Sequence, residues 1–216
     1  MGDLIDLLGR SLDPEFLLQN GGLALLLLIV FAETGLFFGF FLPGDSLLFT
    51  AGLLCGTRSE YLDATIGVLL LTLCLAGTLG YLTGYWIGRK AGEVLLRRKD
   101  SLLFKKQYID ATRAFYDRHG NLAFILGRFL PIVRTFVPIL AGMIRVDFRS
   151  FMFFNVIGCV AWVFSVVLAG YYLGMKFPGL KDYLEFIVLG MVLITAIPVV
   201  LTFLKERRRA QAASKE

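Results

Sequence analysis

Four ionisable side chains sit in stretches apolar enough for a membrane: Glu33 and Asp45 early in the chain, Arg128 and Arg134 past its middle. Facing lipid, the four together would cost on the order of 10 kcal/mol, as much as a whole domain's stability. They therefore need each other, a watery cavity or a ligand. Two chemistries fit. One is a pair of buried ion pairs that hold segments together. The other is an anion site, because a guanidinium fork matches a phosphate bidentately and stays charged at any working pH. In the second case the carboxylates are suited to carrying or gating protons, since burial favours their neutral form and a neighbouring guanidinium their charged form. The two are compatible, because a phosphate can displace a carboxylate from its arginine.

Both pairs lie beside chain breakers. Asp45 follows Pro43 and Gly44, and the arginines flank Pro131 with Pro138 just beyond. On one unbroken helix Arg128 and Arg134 would point about 120° apart, so a break at Pro131 is what lets both aim at one place. Residues 23–32 are purely apolar but too few to cross a bilayer, and irregular backbone survives at membrane depth only where it lines protein or a cavity. The expectation is two re-entrant hairpins, with breaks at Pro43-Gly44 and at Pro131 and Pro138.

The rest of the chain supplies the frame. Of 216 residues, 57% are apolar and 18% charged, the balance of a polytopic membrane protein. Uncharged runs at 64–88, 150–175 and 186–204 predict three transmembrane helices. In the first, the four-residue spacing of Gly80, Gly84 and Gly88 predicts a face for close helix packing. Residues 1–21 read as an interfacial segment closed by Pro14 and the Gly21-Gly22 pair. Residues 89–120 read as a cytoplasmic amphipathic connector, and 205–216 as a cytoplasmic tail. The N-terminal stretch, with Asp3, Asp6 and Asp13, lacks the basic region of a cleavable signal.

The net charge of +5 does not point to nucleic acid. Nine Lys/Arg lie between Arg89 and Arg118 and five more from Lys205 onward, each group flanking an apolar span as cytoplasmic loops do. With both groups inside, residues 121–144 begin and end on the cytoplasmic side and must dip in and return. Gly84-Tyr85-Trp86-Ile87-Gly88 matches Gly170-Tyr171-Tyr172-Leu173-Gly174, and Phe41-Leu42-Pro43 and Ala51-Gly52 match Phe129-Leu130-Pro131 and Ala141-Gly142. This predicts an internal repeat, about 22–90 and 121–176, with inverted halves. Each half is a hairpin plus a span, and the last span, 186–204, is additional.

No metal-ligand cluster or nucleophile elbow is present, and the single His119 stands before the second hairpin. Histidine-based phosphoryl transfer needs more than that, so no enzyme activity, metal or cofactor is expected. Cys55, Cys74 and Cys159 read as small core residues.

Glu33, Phe41-Leu42-Pro43-Gly44-Asp45, Gly80-Tyr81 with Gly84-Tyr85, and Arg128-Phe129-Leu130-Pro131 with Arg134-Thr135, Pro138 and Ala141-Gly142 resemble the DedA family of bacterial membrane proteins. The resemblance covers about residues 22–175. It implies opposed re-entrant hairpins in a multi-pass protein of the bacterial inner membrane with a cytoplasmic C-terminus. It also implies lipid translocation, with the two acids and two arginines as functional residues. Undecaprenyl phosphate is the leading substrate, moved with proton or other ion coupling. Alternatives are a phospholipid translocase or scramblase of phosphatidylethanolamine type, and a non-transporting envelope assembly factor. The implied partner is an anionic lipid headgroup, and a homo-oligomer is compatible with this reading.

Overall fold

A computed structural model of the chain describes residues 14–36, 42, 44–57, 65–97, 106–183 and 190. The described residues are helical, with no strand among them. In order they form α1 (Pro14–Gly35), α2 (Gly44–Gly56), α3 (Ile66–Arg97), α4 (Lys106–His119), α5 (Ala123–Leu126), α6 (Pro131–Met143) and α7 (Phe148–Lys176). Short 3-10 turns flank α5 at Gly120–Leu122 and Gly127–Phe129, and another follows α7 at Pro178–Tyr183. The predicted residues 1–13 and tail 205–216 lie outside the described residues, as does the last span apart from Gly190.

Two helices, Ile66–Lys90 within α3 and Phe148–Lys176, are long and apolar enough to cross a membrane. Each turns a large apolar face outward. On α3 that face carries Val68, Leu71, Leu75 and Leu79, and on α7 it carries Phe153, Val156, Ile157, Val160 and Phe164. Water would penalise such stripes and lipid does not. Helices α2 and α6 have 13 residues each, about 20 Å at 1.5 Å per residue, short of a hydrocarbon core of about 30 Å.

Several boundaries differ from the sequence expectation. Pro14 opens α1 instead of closing a segment, and the break falls at Gly22, whose φ of 55° and ψ of −151° only glycine adopts without strain. α3 does not stop near Gly88 but runs to Arg97, so the first residues of the connector are a continuation of the span. Pro138 is not a break: it lies inside α6. The break is at Leu130 alone, which is extended (φ −112°, ψ 109°) as a residue before proline prefers, with Pro131 as the first residue of α6. Inside α6, Pro138 is accommodated because its ring lies over Gly84, where there is no side chain to exclude it. Pro43 falls outside the described residues, and Gly44 begins α2.

The turn from α6 to α7 needs no glycine. Arg145 takes a left-handed φ of 54°, Val146 N donates to Ala141 O at 3.0 Å and Arg145 N to Gly142 O at 3.2 Å. That is the paired closure of a Schellman turn. Asp147 then caps α7, accepting from Ser150 N at 2.9 Å.

Packing exchanges the short and long helices. The long α3 packs on the short α6, and the long α7 on the short α2. Glycines set both contacts. A Cβ on Gly88 would strike Ile139 O of α6, and one on Gly142 would strike Tyr85 O of α3. A Cβ on Gly52 would strike Val167 O of α7, and one on Gly174 would strike Leu53 O of α2. The segments matched in sequence thus make the same kind of backbone approach, which small residues permit. Gly80 meets α1, at Thr34 and Phe31 O, rather than α6. Two apolar clusters result: one of α1, α2, the first half of α3 and the second half of α7, the other around Tyr81, Tyr85, Phe124, Val137, Ala141 and Phe151. The charged residues lie where the two meet.

Candidate functional site

Glu33 comes from the end of α1, Asp45 from the first turn of α2, Arg134 from the first turn of α6, and Arg128 from the 3-10 turn just before the break at Leu130. The extended Leu130 separates the two elements, so the two arginines reach the interior from different ones. Glu33, Arg128 and Arg134 are 1%, 1% and 3% exposed. Only Asp45 reaches the surface, with about a quarter of its side chain accessible (26%).

The charges do not form two pairs. Arg134 takes both acids: Nη2 donates to Glu33 Oε1, and Nη1 donates to Asp45 Oδ1 at 2.8 Å. The Glu33 carboxyl lies over Gly44, where any Cβ would collide with it. The expectation of two ion pairs is therefore corrected, because α1 and α2 bring both carboxylates to the start of α6 and none to the preceding turn. Among the described residues no carboxylate pairs with Arg128.

Arg128 instead threads between two glycines. A Cβ on Gly77 would meet its Nη1, and one on Gly158 would meet its Cδ. Its Nη2 donates to Asn155 Oδ1 at 2.6 Å and to Gly77 O at 3.3 Å. Its guanidinium carbon stands 3.8 Å from the centre of the Tyr81 ring, a cation–π contact in a desolvated place. Its Nε and Nη1, Arg134 Nε and the Tyr81 hydroxyl have no hydrogen-bond partner among the described residues. Buried donors of this kind are rare and call for an explanation, such as a group they are built to receive.

Trp162 links the two arginines. Its Nε1 donates to Asp45 Oδ1 at 2.9 Å, the oxygen that also accepts from Arg134. Its ring centre lies 5.1 Å from the Arg134 guanidinium and 5.9 Å from that of Arg128.

Comparison with known proteins gives the family. The VTT domain matches residues 42–172. Protein DedA of Escherichia coli K12 is 40% identical over 192 residues, 89% of this chain and 86% of its own length. The chain belongs to the DedA family of VTT-domain membrane proteins. An uncharacterized membrane protein of Mycobacterium tuberculosis H37Rv is 41% identical over 88% of this chain and 85% of its own. Inner membrane protein YghB of Salmonella typhimurium LT2 is 39% identical over 68% of this chain and 65% of its own. No solved structure matches.

Within this DedA-family chain the VTT match contains Asp45, Arg128 and Arg134, while Glu33 precedes it. The structure brings all four sequence-predicted site residues to one region, divided as three and one. Gly80, Gly84 and Gly88 line α3 against α1 and α6. Two residues at the site were not singled out from sequence, Asn155 and Trp162. Their signal is weak but present: they are seven apart on α7 and so on one helix face, and Asn155 is the only Asn or Gln between 150 and 176. An amide at membrane depth is a pointer to a buried polar contact. Among the described residues no group of three or more His, Cys, Asp or Glu gathers to hold a metal.

Proposed function

We propose that this chain is a lipid translocase that moves undecaprenyl phosphate across the bacterial inner membrane, with proton or other ion coupling. Inner-membrane placement follows the name of its relative YghB. The observation that carries the reading is Arg128: a cation 1% exposed, with no carboxylate partner and with two of its nitrogens unbonded among the described residues. Such a charge is expensive to bury and is matched by an anionic headgroup that brings acceptor oxygens. A phosphate monoester does both, and its hydrocarbon tail can remain in lipid.

Arg134 has a different part in this reading. It is held by Glu33 and Asp45, and loss of charge on either carboxylate frees one of its nitrogens for the phosphate. The partly exposed Asp45 is the group through which water or protons reach the trio. The conformation is then the occluded one, and opposed re-entrant hairpins, one ending at α2 and one at α6, rock around the fixed α3 and α7. The C-terminus is cytoplasmic by the basic-loop argument. The chemistry is movement alone, so no phosphate is released.

The test is the lipid that co-purifies. Native mass spectrometry of the intact protein from its membrane should show a polyprenyl phosphate, present on the wild type and absent on Arg128→Met. Phosphatidylethanolamine retained equally by both proteins would favour the phospholipid alternative. No lipid dependent on Arg128 would leave the assembly-factor reading and sink this one.

A further inference from the structure

The buried Arg128 has a neutral partner where a charged one is the usual solution. Asn155 Oδ1 accepts from Arg128 Nη2 at 2.6 Å, and Asn155 Nδ2 donates to Thr78 O on α3 at 3.3 Å. The amide is tied at both ends. Its donor is taken by a backbone carbonyl, so its acceptor is the end that faces the cation. Asn155 is fully buried, and Gly77 and Gly158 leave the guanidinium little choice of position. An aspartate would fill the same volume and neutralise the arginine, as Glu33 and Asp45 do for Arg134.

We propose that Asn155 is a specificity-determining residue: it aims Arg128 while leaving its positive charge uncompensated, so that the site selects phosphate monoester headgroups over zwitterionic ones. This rests on the phosphate-lipid reading above. An uncompensated cation gains from a headgroup that carries net negative charge. A zwitterionic headgroup brings its own cation, which finds no carboxylate beside Arg128. Tyr81 adds its ring, 3.8 Å from the guanidinium carbon, so a second neutral group holds Arg128.

The test titrates the full-length protein in maltoside micelles with dodecyl phosphate, dodecylphosphocholine and inorganic phosphate. Tryptophan fluorescence can report it, since Trp162 is one of only two tryptophans. The wild type should bind dodecyl phosphate at least tenfold more tightly than dodecylphosphocholine. Asn155→Asp should lose about a hundredfold on dodecyl phosphate and bring the two ligands within about threefold of each other, an effect on selectivity that simple loosening of the fold does not produce. If Asn155→Asp does not fold, Asn155→Thr and Asn155→Val decide. Threonine keeps a neutral acceptor and should restore most of the phosphate affinity, whereas the isosteric valine should lose at least tenfold. Wild-type selectivity in Asn155→Asp, or equal affinity in the threonine and valine variants, overturns the role of Asn155 and leaves the translocase reading standing. Inorganic phosphate bound as tightly as dodecyl phosphate overturns the lipid reading and leaves Asn155 in place. A wild type that binds no dodecyl phosphate overturns both.

Discussion

Replacing the two arginines by methionine should have unequal consequences for stability. Arg134→Met leaves two carboxylates without their shared cation, one of them, Glu33, 1% exposed. Breaking a buried pair by removing one partner costs about 3–5 kcal/mol, because the charge left behind is uncompensated. Asp45, about a quarter accessible (26%), can be solvated and adds little. Arg128→Met removes an unpaired buried cation and its burial cost, and leaves Asn155 Oδ1 short of a donor, at about 1–3 kcal/mol for an orphaned acceptor. The two effects oppose each other, so the net change should lie within about 1–2 kcal/mol of zero. The measurement is reversible unfolding in mixed micelles by a denaturing detergent. Arg134→Met should be the less stable of the two by at least about 2 kcal/mol, roughly thirtyfold in the folded-to-unfolded ratio. Equal destabilisation by both substitutions would refute the division into a compensated and an uncompensated arginine.

Other substitutions test the frame. Gly88→Ala and Gly142→Ala each force a Cβ into a backbone carbonyl across the α3–α6 contact and should cost about 1–3 kcal/mol of unfolding free energy. Gly67→Ala, which meets nothing within 4 Å, is the neutral control. Tyr85→Phe removes a donor to Val146 O at 2.8 Å and an acceptor for Arg89 Nη1 at 2.9 Å. It should cost about 1 kcal/mol and speed amide exchange in the α6–α7 turn. Trp162→Phe removes the donor to Asp45 Oδ1 while keeping an aromatic ring. It should change the proton dependence of transport more than the unfolding midpoint, and a change in the midpoint alone would contradict its place at the coupling trio.

Much of the site was legible in the sequence because charge at membrane depth is so costly. Glu33, Asp45, Arg128 and Arg134 stand out from their apolar neighbours by type alone, and the long uncharged runs at 64–88 and 150–175 correspond to the apolar parts of α3 and α7. Pairing was not legible. Which acid meets which arginine depends on where α1 and α2 land against α6, a tertiary fact without a local signature. Pro138 misleads for a similar reason: a proline reads as a break until its ring finds Gly84, fifty-four positions earlier in the chain. Arg145 in a left-handed turn, where glycine is the usual residue, is settled by the two hydrogen bonds of the turn and not by its own preference. Asn155 hides because an amide is only moderately polar in composition, yet it decides whether Arg128 is neutralised.

Passage of a phosphate-headed lipid through the protein on Arg128 is the step to measure. Its most direct measurement is leaflet-resolved movement of undecaprenyl phosphate in proteoliposomes of the pure protein, with and without a proton gradient, for the wild type and Arg128→Met. Carriage on Arg128 requires wild-type transport that responds to the gradient, and none above empty liposomes for Arg128→Met although that variant stays folded. Equal transport by the two proteins, or none by either, would contradict it.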